Sequence, residues 1–189
     1  MTNSYDAVAY PGFAFPNTHP DRLAAMAIAH GLKPPPIANS RVLEIGCGEG
    51  SNLIPMAYAM PGAHFTGFDL AHLPIERGQH RIQELGLTNI RLFEADILTV
   101  GSELGQFDYI IAHGVYAWVP EPVRNRLMAL ISELLAPNGI AFLSYNALPG
   151  CYLRRIARDA MFFRTEGMDD PEQRAAVGVE FLKFLYQTR

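Results

Sequence analysis

The sequence predicts an α/β chain with a parallel sheet covered on both faces. Between Arg41 and Tyr145, short apolar runs alternate with segments of helical spacing, the pattern of strands joined by helical crossovers. The first run, Arg41-Val42-Leu43-Glu44-Ile45, leads straight into Gly46-Cys47-Gly48-Glu49-Gly50, a turn of the kind that lines ligand crevices beyond the C-terminal ends of strands. The next two strands close on acidic residues, Asp69 and, after Glu94-Ala95, Asp96.

The elements follow in order. Residues 1–20 hold Tyr5, Tyr10, Pro11, Phe13, Phe15, Pro16 and Pro20, too irregular for a helix and too broken for a strand. Residues 21–30 predict a short helix with Leu23, Met26, Ala27 and His30 on one face and Gly31 as its C-cap. Lys33-Pro34-Pro35-Pro36 is a stiff connector. Strands are expected at 41–45, 64–68, 90–93, 107–112 and 140–145, and helices at 53–60, 73–85 and 122–135. Pro137-Asn138-Gly139 is expected to turn the chain between the last helix and the fifth strand. Beyond Tyr145 the pattern turns helical, at 151–163 and again from Asp169-Asp170-Pro171. The domain reading is an N-terminal lid and helix (1–40), an α/β cofactor domain (41–150) and a helical tail (151–189). With no further strand, the fifth is expected to be a sheet edge, to be covered by the tail, by further chain or by another subunit.

The 189 residues suffice for one domain with a real core. A net charge of −4 argues against a general nucleic-acid binder, although Arg154, Arg155 and Arg158 form a local basic group. Cys47 and Cys151 offer neither a disulfide framework nor metal spacing, and the histidines form no ligand cluster, so no metal is expected. The N-terminus lacks a basic segment followed by an apolar run, and no run is long enough to span a bilayer. These features predict a cytoplasmic protein without membrane or nucleic-acid partners.

The chemistry is concentrated at the strand ends. Gly46 lets the chain leave the strand sharply, and Gly48 and Gly50 leave room for a ligand against backbone. Ser51 stands where the dinucleotide fingerprint has its third glycine, which speaks against a nicotinamide oxidoreductase. Glu44, inside an apolar strand, is costly to bury unless it meets a cation or an ordered donor. Asp69, 23 residues past Gly46, can accept from both hydroxyls of a ribose. Asp96, followed by Ile97 and Leu98, can accept from an adenine amino group while its apolar neighbours pack on the ring. The plainer readings are a tight glycine turn, a locally satisfied Glu44, and Asp69 and Asp96 as helix caps.

Val42-Leu43-Glu44-Ile45-Gly46-Cys47-Gly48-Glu49-Gly50, Phe68-Asp69-Leu70, Ala95-Asp96-Ile97 and Leu135-Ala136-Pro137-Asn138-Gly139-Ile140 resemble, in that order, the motifs of class I S-adenosylmethionine (SAM)-dependent methyltransferases. Phe15-Pro16-Asn17-Thr18-His19-Pro20-Asp21-Arg22-Leu23, Ile111-Ala112-His113-Gly114-Val115-Tyr116-Ala117-Trp118-Val119-Pro120 and Ser144-Tyr145-Asn146-Ala147-Leu148-Pro149-Gly150 resemble more narrowly the bacterial methyltransferases with a regulatory domain, a group that includes protein-lysine methyltransferases. The resemblance implies a Rossmann-like sheet and SAM as cofactor, with S-adenosylhomocysteine (SAH) as product. It implies cofactor contacts from Glu44, Gly46, Cys47, Gly48, Gly50, Asp69, Leu70, Asp96, Ile97 and His113. Such sheets have seven strands, the last two an antiparallel hairpin beside the fifth, and that hairpin is not found in this sequence.

Methyl transfer from a sulfonium needs an in-line nucleophile, with positioning and desolvation supplying much of the catalysis. His113, Tyr116, Trp118 and Tyr145 are the candidate catalytic residues. His113 ends the fourth strand, Tyr116 and Trp118 follow in its loop and Tyr145 ends the fifth strand, and their aromatic faces suit a cationic amine or sulfonium. Against this stand a structural His113 and a Trp118 used in packing, while His19 serves equally well as a helix cap or as part of a lid. The expected function is methyl transfer to an acceptor nucleophile, with a protein lysine amine implied by the narrower resemblance. The alternatives are a small-molecule methyltransferase, and a SAM-binding module that is inactive without further C-terminal chain. An oligomer formed through the fifth-strand edge is also compatible with the sequence.

Overall fold

A computed structural model of the chain describes residues 12–187. These divide into two compact units, one ending at Tyr145 and one beginning at Asn146.

The first unit opens with a 3-10 turn at Pro16–Thr18, followed by helix α1 (Pro20–Ala29). Then come β1 (Arg41–Ile45), α2 (Leu53–Ala59), β2 (His64–Asp69), α3 (His72–Glu84), β3 (Ile90–Glu94), β4 (Phe107–Ala112), α4 (Glu121–Leu134) and β5 (Leu135–Leu143). The five strands form one sheet in the order β3-β2-β1-β4-β5, and every neighbouring pair is parallel. All strand C-termini therefore lie on one side. The order reverses between β1 and β4, which opens the ligand crevice of such sheets there.

Strand alternation sorts the core. Val42 on β1 and Tyr109 and Ile111 on β4 join Leu23, Leu53, Met56, Ile75 and Ile82 of α1, α2 and α3 in one cluster. Leu43, Ile45, Ile110 and Ala112 point the other way and meet Leu127, Leu130, Ile131 and Leu134 of α4. Both faces of the sheet are covered, which is why its central strands are almost continuously apolar.

Most boundaries shift by one or two residues from the sequence reading, and two shifts have clear physical reasons. Helix α1 starts at Pro20, because proline fits a first turn and His19 caps it, with Nδ1 accepting from the Asp21 amide at 3.2 Å. The Pro137-Asn138-Gly139 turn does not precede the fifth strand but lies within it. Phe107 pairs with Leu135 and Tyr109 with Ile140, so the intervening residues bulge out of the ladder, with Asn138 at φ 62°. Among the described residues β5 pairs on one side only, with β4.

The second unit consists of α5 (Tyr152–Arg164) and α6 (Pro171–Gln187). Asp170 starts α6, its Oδ1 accepting from the amides of Glu172 and Gln173. The two helices meet where Met161 lies over Gly178. In the basic group, Arg155 and Arg158 both pair with Asp159, which offsets part of its charge.

Gly78 of α3 positions the functional site, because a Cβ there would lie 2.6 Å from the Glu49 carbonyl oxygen and 2.6 Å from Leu92 Cδ1. The helix seats directly on the backbone of the glycine turn, and Arg77 and Arg81 hold Glu49 from either side. Exposed helical Gly→Ala changes gain about 1 kcal/mol. Gly78→Ala is expected to reverse that sign and cost about 1–3 kcal/mol through the clash, read as a lower denaturation midpoint with an unchanged m-value.

Candidate functional site

The turn after β1 is held in place by its own backbone. The amides of Gly46 and Cys47 both donate to the Phe68 carbonyl, at 2.9 and 3.1 Å. Gly46, Gly48 and Gly50 all have positive φ. They differ in what surrounds them. At Gly46 a Cβ would meet Val115 Cγ2 at 2.4 Å, closing the floor of the crevice, whereas at Gly48 it would face open space. Gly48 is thus the point where a ligand can approach the backbone. The Cys47 side chain is buried beneath this turn, and burial pushes its thiol well above the ordinary range.

Asp69, at the end of β2, ties the neighbouring segments together. One carboxylate oxygen accepts from the Gly48 amide at 2.8 Å and the other from the Ala71 amide at 3.0 Å. An ionised carboxylate has about four acceptor positions, so each oxygen keeps capacity for a further donor. Leu70 beside it is exposed. The Asp69 carbonyl accepts from the Ala95 amide, which joins the ends of β2 and β3. Asp96 follows, with Oδ1 accepting from the Leu98 amide at 2.9 Å. Ile97 is half-buried against the α4-side core.

Glu44 is the least expected group in this core. It is 4% exposed. Its Oε1 accepts from Asn52 Nδ2 at 2.8 Å, while Oε2 is buried with no hydrogen-bond partner. Burial pushes its carboxyl up to about 8, against the opposing pull of the Asn52 bond. A buried acceptor without a donor is costly, and a cation or donor arriving at Oε2 would relieve that cost. The sequence flagged Glu44 but not Asn52. The available signal was that a buried carboxylate needs a donor, and Ser51 and Asn52 are the polar residues that follow the turn.

The acceptor-side residues gather less completely. His113 follows β4 and stacks on Phe15, with centroids 3.8 Å apart, and lies parallel to Phe142 at 6.1 Å. Burial lowers its pKa below the ordinary histidine value, which favours the neutral ring. Tyr116 is half-buried and meets Tyr145 edge-on at 6.2 Å, and the Arg124 guanidinium lies over the Tyr116 ring at 5.9 Å. Among the described residues Trp118 is 63% exposed, so it lies outside the core, and Tyr145 is 64% exposed. Ser144 draws the two loops together by accepting from the Gly114 amide at 2.7 Å. Phe15 and Phe142, which frame His113, were not among the expected site residues. Among the described residues no three His, Cys, Asp or Glu side chains come together as a metal site, and no helix is long and apolar enough to cross a membrane.

The donor set suits SAM. An open glycine face, carboxylates at successive strand ends and a buried carboxylate oxygen lacking a donor match a ligand with an adenosine and a cationic amino-acid part.

Comparison with known proteins agrees. Residues 42–139 match the family described as "Methyltransferase domain". Uncharacterized protein RP028 of Rickettsia prowazekii is 39% identical over 182 residues, covering 96% of this chain and 73% of that protein. Uncharacterized protein RP789 of the same organism is 38% identical over 183 residues, but the match covers 33% of its length. Among solved structures, PKMT2 from Rickettsia typhi in complex with AdoHcy superposes with a TM-score of 0.85 at 37% identity, covering 96% of this chain and 35% of that one. The chain therefore spans about a third of the length of two of these relatives. The motif set, the strand order and these matches place the chain in the class I SAM-dependent methyltransferase family.

Proposed function

We propose that this chain binds SAM across the ends of β1, β2 and β3 and transfers its methyl group to an amine acceptor, with protein lysine as the favoured class. The observation that carries the donor site is the buried, unpartnered Oε2 of Glu44. An ammonium group placed there supplies the missing donor and the missing charge together. Asp69 then accepts from the ribose hydroxyls with its remaining lone pairs. Asp96 accepts from the adenine amino group, and Ile97 lies against the ring. Leu70 and the backbone at Gly46 and Gly48 supply the surrounding surface; Gly50, where a Cβ would meet Leu92 Cδ1 at 2.7 Å, faces the core instead of leaving room for a ligand, and buried Cys47 supports the turn from beneath.

Bound SAM supplies a methyl group activated by its sulfonium. This chain supplies the setting for transfer. The His113 ring, held between Phe15 and Phe142, forms an aromatic wall beyond the end of β4, and its neutral form can accept a proton from an amine. Tyr116 and Tyr145 offer hydroxyls to orient the amine, and the exposed Trp118 offers an aromatic face to a cationic side chain. An exposed aromatic rim suits a side chain presented by another protein better than an enclosed small molecule. The lysine assignment also draws on the sequence resemblance. Recognition of the acceptor by the whole protein, and the cytoplasm as its compartment, belong to this proposal.

Calorimetric titration of this chain tests the donor site. SAM and SAH are expected to bind and NAD is not, and Glu44→Ala is expected to weaken SAH by at least about tenfold, as loss of a charge-assisted contact does. A folded chain that binds none of the three, or that binds NAD best, overturns the proposal.

A pH dependence follows from Glu44. In the free site the carboxyl keeps its proton up to about pH 8, and an ammonium ligand requires it to leave. SAH affinity is therefore expected to rise from pH 6 to pH 8, by up to about tenfold per unit. The slope should vanish in Glu44→Gln. A flat wild-type profile would mean that the ligand does not engage this carboxylate.

A further inference from the structure

Asn52 occupies the N-cap position of α2, yet its side chain makes no capping hydrogen bond. Asparagine is favoured there because its side-chain oxygen caps the helix, a contact worth about 1 kcal/mol. Here the whole amide is used elsewhere. Its Oδ1 accepts from the Phe15 backbone amide at 2.8 Å. Its Nδ2 donates to Glu44 Oε1 at 2.8 Å and to Thr18 Oγ1 at 3.0 Å. Thr18, fully buried, donates in turn to the Phe15 carbonyl at 2.9 Å.

The Phe15 amide can only donate, so it fixes which end of the Asn52 amide faces which partner. The NH2 end must point at Glu44 and Thr18. Asn52 can therefore only donate to Glu44, which commits Oε1 as an acceptor and leaves Oε2 as the oxygen available to a ligand. The same amide holds the turn Pro16–Thr18, and Phe15 stacks on His113 at the far side of the crevice. A single side chain thus joins the carboxylate at the end of β1 to a strap that reaches the end of β4.

We propose that Asn52 is a positioning residue that orients Glu44 towards the cationic part of the methyl donor and couples that contact to docking of the Phe15–Thr18 strap. The inference rests on the SAM reading of the site. The coupling runs both ways. A ligand that strengthens the Glu44 carboxylate as an acceptor strengthens the Asn52 bond and so holds the strap. An ordered strap likewise presets Glu44 for the ligand. Adenosine, which lacks the amino-acid part, lies outside this coupling.

The test compares SAH with adenosine by calorimetry, on wild type, Asn52→Ala, Glu44→Ala and the double variant, with hydrogen exchange read at residues 15–18. Asn52→Ala is expected to weaken SAH by about tenfold to a hundredfold and to leave adenosine within about twofold. It should also speed exchange at the strap, and add little to Glu44→Ala. Equal loss of both ligands would show general damage to the site and overturn the proposal, as would unchanged SAH affinity. If Asn52→Ala does not fold, Thr18→Val, which cuts only the strap side, is expected to speed exchange at residues 15–18 and weaken SAH several-fold while sparing adenosine. Unchanged exchange would overturn the coupling. A folded wild type that binds neither ligand defeats the SAM reading itself, and the proposal with it. SAH binding without the discrimination between ligands defeats the proposal alone.

Discussion

The carboxylate of Glu44 is buried at the end of the central strand, with one oxygen held by Asn52 and the other facing no donor. Burying such a group without a second donor carries a desolvation cost that the rest of the core must offset. The surrounding structure is arranged about that point. The glycine turn passes over it, Asp69 fixes the turn from the next strand, and Thr18 brings the N-terminal segment onto it through Asn52. Removing the carboxyl would take away the buried polar group that the Asn52 amide holds at Oε1.

Much of the sheet was legible because its signals are local. Val42, Leu43 and Ile45 form an apolar run interrupted only by Glu44, the pattern of a strand covered on both faces. Asp69 and Asp96 were legible as carboxylates at strand ends; their bonds to the Ala71 and Leu98 amides are turn bonds rather than helix caps, since α3 has Ala71 at its N-cap without a side-chain bond and a turn, not a helix, follows Asp96. Each makes a turn bond and keeps acceptor capacity, so the structural and ligand-binding readings of these residues do not compete. The bulge in β5 was misplaced because Pro-Asn-Gly has the same turn chemistry within a ladder as before one. Only pairing with Phe107 and Tyr109, about thirty residues away, decides between the two.

The contacts that escaped sequence reading are those between distant residues of ordinary type. Asn52 reads as a helix cap, Thr18 as a loop hydroxyl and Gly78 as a weak point in a helix. Their roles come from packing across long sequence separations: 34 residues between Thr18 and Asn52, and a helix seated on the Glu49 carbonyl at Gly78. The aromatic residues show the converse. Trp118, expected as a site residue with packing as the plainer alternative, is exposed, whereas Phe15, in a segment with no regular pattern, is stacked on His113.

The two sides of the crevice differ in how far they are set in advance. On the donor side, every carboxylate is held by at least one bond from the chain, from Asn52, Gly48 and Ala71, or Leu98. Such preorganisation reduces the ordering cost of binding. On the acceptor side, Tyr116, Trp118 and Tyr145 sit on loops, two of them largely exposed, and the Tyr116 ring already carries Arg124 over it. A rigid donor site beside a soft aromatic rim suits one fixed cofactor and an acceptor delivered on another molecule, because the arriving partner then completes the acceptor side. The strap belongs to the rigid side: Phe15 stacks on His113 and is anchored at Asn52. On the proposed reading, occupancy of the cofactor site would be transmitted through Asn52 to Phe15 and the His113 ring on which it stacks.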